Sequence, residues 1–241
     1  MRFRMITYNI HKGIGGLDRR YRPERIVETL AAWRPDVVLL QEVDDGAPRS
    51  YRHRQVDLLG DALGLPHRAF QANVTLWEGV YGNAILSRFP LARVEHVDLT
   101  VPLKKRRRAL VAHCRLPFEH ARRLLVCNLH LGLAGFERKM QLRRLLVSRA
   151  LAYHHPIPLI AAGDFNDVYG NLCRRVMGPA GFETAGRVRT FPALLPLHGL
   201  DRVFFRGGLR LVRSFAPCTP PARHASDHLP LVAEFEVAAA A

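Results

Sequence analysis

Apolar runs of strand length recur along the chain, and several of them stop abruptly at a polar cluster. Residues 2–10 alternate as a strand that ends at Asn9. In Asp36-Val37-Val38-Leu39-Leu40 the four residues after Asp36 are continuously apolar, the signature of a strand buried on both faces, and the run delivers Glu42 at its end. From Gly82 onward strands dominate: Asn83 to Ser87, Ala109 to Leu116 and Leu124 to Leu131, the last two parted by a hairpin-like break at Pro117 to Ala121. Ile157 to Ala162 runs into a Gly163-Asp164 corner. Gly199 to Phe205, Leu209 to Phe215 and Leu229 to Val237 follow.

Helical spacing appears between these runs. Pro23 opens a helix to about Trp33 with Ile26, Val27 and Leu30 on one face. A second helix covers Gln55 to Leu63. A third spans Phe136 to Leu151, with Met140, Leu142, Leu145, Leu146 and Ala150 at near-helical spacing, and a short one follows at Gly170 to Met177. His11 to Gly16 reads as a flexible loop. Helices set between strands predict an α/β chain in which two mixed β-sheets pack face to face with helices outside.

The chain has 241 residues and shows no linker, repeat or low-complexity tract, so one domain over 1–241 is expected. Cys114, Cys127, Cys173 and Cys218 lack C-x-x-C spacing, and Cys114 and Cys127 sit in apolar runs as buried free thiols. Neither zinc nor a disulfide framework is expected. The first residues lack the apolar core of a signal peptide, and no apolar stretch reaches membrane-span length, which reads as a cytoplasmic monomer. Ala238 to Ala241 reads as a frayed end. Lys and Arg number 36 against 21 acids, a net charge of +15, and such an excess concentrates polyanions: DNA, RNA or anionic lipid head groups.

Chemistry gathers in five strings: Thr7-Tyr8-Asn9-Ile10, Leu40-Gln41-Glu42-Val43, Asn128-Leu129-His130-Leu131, Gly163-Asp164-Phe165-Asn166-Asp167 and Ser226-Asp227-His228-Leu229-Pro230. Polar groups at the mouths of buried strands are costly unless a ligand or metal uses them. Glu42 and Asn9 offer the oxygen donors that Mg²⁺ prefers; the bland alternatives are a solvated strand-end acid and a turn former. His228 is a candidate general base: a neutral imidazole near pH 7 can take a proton from the attacking water if a carboxylate holds its other nitrogen.

In order and spanning essentially the whole chain, these strings resemble the endonuclease/exonuclease/phosphatase superfamily, and within it a short bacterial branch. The resemblance implies a four-layer α/β sandwich of the DNase I type and Mg²⁺- or Mn²⁺-dependent hydrolysis of phosphate esters. It implies Asp201 as the carboxylate behind His228, against the alternative of a hairpin acid paired with Arg202. It likewise implies Asp227 near the metal, Asp164 and Asn166 positioning water and phosphate, and His130 on a non-bridging phosphate oxygen. A packed strand-end histidine and a plain Asx turn are the competing readings of His130 and the Asp164 corner. Asn83 and Tyr81 fall where family members contact substrate or orient the histidine. The run Lys104-Lys105-Arg106-Arg107-Arg108 either tracks a phosphate backbone through Lys104, Lys105 and Arg106 or is a solvated loop. His11 and His224 flank these strings. The expected activity is a DNA nuclease, endo- or exonuclease, with a phospholipid or phosphoinositide phosphodiesterase or phosphatase as the alternative. A binding module without activity is disfavoured, because every matched position carries a reactive residue type.

Overall fold

The computed structural model describes residues 1–117, 123–152 and 157–237. Its strands are β1 (Arg2–Asn9), β2 (Val37–Asp45), β3 (His67–Thr75), β4 (Val80–Ser87), β5 (Leu91–Asp98), β6 (Arg108–Arg115), β7 (Arg123–His130), β8 (Leu159–Asp164), β9 (Glu183–Thr184), β10 (Asp201–Arg206), β11 (Leu209–Phe215) and β12 (Leu231–Val237). The helices are α1 (Pro23–Ala31), α2 (Gln55–Leu63), α3 (Gly135–Val147), α4 (Arg149–Ala152) and α5 (Pro220–Ala225). One six-stranded sheet has the order β11-β12-β1-β2-β4-β3 and the other β5-β6-β7-β8-β10-β9. Each sheet contains one parallel pair, β1 with β2 and β7 with β8, and the remaining neighbours are antiparallel.

Alternation along each strand assigns the layers. Val37 and Leu39 point into a core between the sheets, with Met5, Ile85, Val126, Ile160, Val203 and Phe235. Val38 and Leu40 point the other way, against Ile26 and Leu30 of α1 and Leu59 of α2. On the far side Leu125, Cys127, Ala161 and Phe204 meet Leu142 and Leu145 of α3. The result is a four-layer α/β sandwich. Burying one such Leu or Ile stabilises by about 2 kcal/mol, so three apolar layers hold the two sheets rigidly enough to carry a site.

A polar staple joins the sheets just beneath that site. Gln41 Nε2 donates to Asn128 Oδ1 at 2.7 Å and to Thr7 Oγ1 at 3.1 Å, while Asn128 Nδ2 donates to the carbonyls of Leu40 and Ala84, both at 2.8 Å. Because these bonds are fully buried, they fix the register of β1 and β2 over β7.

Several elements differ from the sequence reading. The third helix breaks at Ser148, whose ψ of 151 is extended, and α4 starts afresh. Met140 is exposed, and Glu137, Arg138 and Gln141 take the buried face instead, because the start of α3 closes a polar cleft. The helix read over Gly170 to Met177 contains a single π-helical turn, Cys173–Met177. β3 and β5 escape the pattern: β3 turns Gln71 and Asn73 inward, and β5 is an edge strand open to solvent. His11 to Gly13 is an ordered left-handed turn with φ of 46, 63 and 74, closed by bonds from Gly13 N to Ile10 O and from Ile14 N to His11 O. Cys114 and Cys127 are free and buried. Pro117 to Ala121 falls largely, and Ala238 to Ala241 wholly, outside the described residues. Among the described residues no helix is long and apolar enough to cross a membrane.

Candidate active site

The ends of the two parallel pairs meet at one edge of the sandwich. In the second sheet His130 and Asp164 are direct register partners, and Asp201 at the start of β10 is the antiparallel partner of Asp164. Gly163 makes this possible: at φ +147, a Cβ there would lie 1.9 Å from the carbonyl oxygen of Leu129. Asp164 is the focus. Its Oδ2 accepts from Asn9 Nδ2 at 3.1 Å and lies 3.6 Å from His130 Nε2 and 3.8 Å from His228 Nε2. Its Oδ1 accepts from the Asn166 amide at 3.0 Å, and Asn166 Nδ2 donates to Leu131 O at 3.0 Å. Burial pushes the Asp164 carboxyl up to about 6, helped by Asp201 and opposed by His228.

Behind this carboxylate stands a dyad. His228 Nδ1 lies 2.9 Å from Asp201 Oδ2, which also accepts from Thr190 Oγ1 at 2.5 Å. The Phe191 ring covers the imidazole with centroids 4.9 Å apart. Burial alone would lower the His228 pKa, but Asp201, Asp164 and Asp227 outweigh it and hold it at about 10. The three carboxylates thus favour the protonated imidazole of His228 over the neutral one. His130 goes the other way, pushed well below the ordinary histidine value by burial and then by Arg107.

A stability prediction follows from the sign of the His228 shift. Its pKa is higher folded than unfolded, so the imidazolium's contribution is complete below about 6.5 and is lost as pH rises toward about 10. The denaturant midpoint should fall across that window, and His228→Gln should remove most of the slope. An equal slope in parent and variant would show that another group sets it.

The first sheet supplies the acidic rim. Glu42 does not end β2 but sits inside it at a bulge with φ 56. Leu40 pairs with Ala84 and Val43 with Gly82, so Gln41 and Glu42 together face Asn83. The extra residue turns the Glu42 carboxylate into the cleft, where Lys12, on the left-handed turn, forms an ion pair with it. Ser226 Oγ donates to Asn9 O at 2.7 Å and to Asp227 Oδ1 at 3.2 Å.

A cleft of about 510 Å³ brings together Asn9, Glu42, Lys104, Lys105, His130, Asp164, Asn166, Asp227 and His228. Other expected residues lie off it. Asp201 is buried behind His228. Asn83 is buried under the bulge, donating to Arg108 O at 3.3 Å, which makes it a support and not a substrate contact. Tyr81 is buried too, its hydroxyl accepting from Lys105 at 2.5 Å. Arg106 points to solvent. His11 is committed to Ile14 O at 2.9 Å within its turn, and neither it nor His224 lines the cleft. Conversely Arg107, Glu137 and Phe191 line it without having been singled out. Arg107 was hidden inside the basic run and Glu137 inside a helical pattern read for its apolar positions; Phe191 has no sequence signal.

A divalent cation suits the donors present. Glu42, Asn9 and Asp227 offer only oxygens, and Lys12 already places positive charge on Glu42. Among the described residues no three His, Cys, Asp or Glu side chains form a ready-made metal cluster.

Two packed mixed sheets with acids, amides and imidazoles gathered at one edge place the chain in the DNase I-like fold class. The model of the Endonuclease/Exonuclease/phosphatase family matches residues 6–228, and the chain belongs to that family, whose members hydrolyse phosphodiesters and phosphate esters and generally use divalent metals. It is 31% identical over 252 residues to the uncharacterized protein YbhP of Escherichia coli strain K12, covering 98% of this chain and 96% of that protein. An endonuclease/exonuclease/phosphatase from Beutenbergia cavernae superposes with a TM-score of 0.79 at 24% identity, covering 99% of this chain and 72% of the other. ANGEL2, a 2′,3′-cyclic phosphatase, superposes with a TM-score of 0.75 at 18% identity, covering 98% and 96% of the two chains.

Proposed function

We propose that the protein is a Mg²⁺- or Mn²⁺-dependent phosphodiesterase that cleaves nucleic acid, DNA foremost. One observation carries the choice of substrate: Lys104, Lys105 and Arg107 line the same cleft as Asp164, His130 and His228, in a chain of net charge +15. A polyanion is drawn to that wall with its phosphates beside the acid–imidazole cluster. Glu42, Asn9 and Asp227 would hold the divalent ion, which would supply Lewis-acid polarisation. Asp164, with its carboxyl near 6, is poised to accept a proton from the attacking water at neutral pH. Asn166 and Asn9 fix its two oxygens. His228, held by Asp201, hydrogen-bonds and passes on protons next to Asp164. His130, kept neutral, donates to a non-bridging oxygen.

A second reading rests on a separate groove. Leu17, Pro192, Leu194 and Leu195 enclose about 270 Å³ that shares Asp227 with the cleft, and Leu17, Leu194, Leu195 and Leu197 are all exposed. Acyl chains of an anionic phospholipid would fit such a surface. The two readings part when supercoiled plasmid, single-stranded DNA, RNA and phosphatidylglycerol vesicles are compared with Mg²⁺, Mn²⁺ or EDTA. Cleavage of vesicle lipid without cleavage of DNA would replace the first reading by the second.

Lys104→Gln with Lys105→Gln is expected to raise KM for DNA several-fold and to flatten its log–log salt dependence by about two. Saturated turnover should stay near the parent's. Equal DNA binding across a salt titration would reduce this wall to a solvated loop.

A further inference from the structure

Among the buried arginines Arg138 leaves its Nε unpartnered but donates through Nη1 to Leu133 O, whereas Arg107 makes no side-chain hydrogen bond among the described residues. Its side chain is only 7% exposed, yet among the described residues no carboxylate pairs with it, and its Nε has no hydrogen-bond partner. Arg4 pairs with Glu234 and Arg49 with Asp44, while the buried Arg202 donates to Asp167 O at 3.0 Å. Burying an unpaired cation costs several kcal/mol, a penalty that persists only where an anion arrives to offset it.

The backbone aims this charge. Arg107 N donates to Thr100 Oγ1 at 3.2 Å, and its carbonyl accepts from Leu99 N at 2.9 Å and Thr100 Oγ1 at 3.3 Å. Lys104, Lys105 and Arg106 lie on the exposed stretch just before it. Arg107 lines the cleft together with His130, Asp164 and Glu42. Burial lowers its pKa, and Asp164, Tyr81, Glu42 and Glu137 act against that at longer range. Its charge in turn helps to keep His130 neutral, so the two residues present one fixed cation and one neutral imidazole to the same space. A planar guanidinium matches two oxygens of a tetrahedral phosphate, which a lysine cannot do.

We infer that Arg107 is the oxyanion clamp of this cleft, gripping two non-bridging phosphoryl oxygens as hydrolysis proceeds, while Lys104 and Lys105 only gather the polyanion. The inference rests on the reading that phosphate esters are hydrolysed here. It makes Arg107 a residue of the chemical step.

The test uses the full chain with Arg107→Lys and Arg107→Ala. On a small chromogenic phosphodiester both should lose about 10²–10³-fold in kcat, with KM for DNA changing far less. Guanidinium ion below denaturing concentration should restore part of the loss in Arg107→Ala and none in Arg107→Lys, a response that a merely structural role would not give. Inorganic phosphate, followed by calorimetry, should bind the parent at least tenfold more tightly than either variant. If Arg107→Ala does not fold, Arg107→Lys carries both measurements. Unchanged kcat with raised KM, or equal phosphate binding by parent and variants, overturns the clamp. A parent that binds phosphate through Arg107 but cleaves no DNA leaves the clamp standing and removes only the nucleic-acid reading.

Discussion

His228→Ala and Asp201→Ala should each cut kcat by about 10³-fold or more, and the double variant should be no worse than the poorer single one. The expectation comes from geometry. Asp201 is fully buried, and its Oδ2 is shared between His228 Nδ1 at 2.9 Å and Thr190 Oγ1 at 2.5 Å. That leaves the imidazole one orientation, with Nε2 turned toward Asp164. Without Asp201 the ring loses both its orientation and the negative charge that stabilises its protonated form; without His228 the buried carboxylate has nothing to act on. Asp201→Asn separates the two effects, since it keeps the shape and removes the charge. A double variant whose loss equals the product of the single losses would show two independent residues and end the dyad. Denaturant midpoints of all variants guard against misfolding, because Asp201 Oδ1 is already without a partner among the described residues.

The parts of this site that were legible in the sequence are those fixed by strand ends. A buried parallel strand reads as an apolar run, and the polar residue that stops it must face either solvent or a ligand; Asn9, His130 and Asp164 could be picked out this way. What pattern could not show depends on departures from ideal strands. β2 runs through Glu42 to Asp45 because one extra residue opposite Asn83 bends the strand, and no periodicity marks a bulge. Met140 and Glu137 exchange places with respect to solvent because the first turn of α3 closes a polar cleft, where burial no longer follows hydrophobicity. β5 was missed because an open edge strand has no apolar face to reveal it. Arg107 illustrates the general limit. Within a run of five cations composition treats all alike, and only the fold decides that Arg107 is buried while Arg106 meets solvent.

Glu42→Gln tests the acidic rim and should be nearly as damaging. The carboxylate stands on a left-handed bulge residue, an arrangement costing on the order of 1–3 kcal/mol that the surrounding sheet enforces. Its reward is a charge placed where Lys12 already reaches it. Exchange of the carboxylate for an amide keeps the shape and removes one of the two anions, Glu42 and Asp227, available to a divalent ion on that side. Affinity for Mn²⁺, measured by calorimetry with no substrate present, should fall by about 10–100-fold. Turnover at ordinary Mg²⁺ concentrations should fall on the order of 10³-fold and recover partly at high Mg²⁺. Lys12→Met probes the same carboxylate from the opposite side: with the ammonium gone Mn²⁺ has no internal competitor, so its affinity should rise several-fold. Loss of the Lys12–Glu42 pair should also lower the metal-free denaturant midpoint in both variants, since each leaves a half-buried charge uncompensated. Parent-like Mn²⁺ affinity and turnover in Glu42→Gln would move the cation elsewhere in the cleft, with Asp227 and Asp164 the next carboxylates to replace.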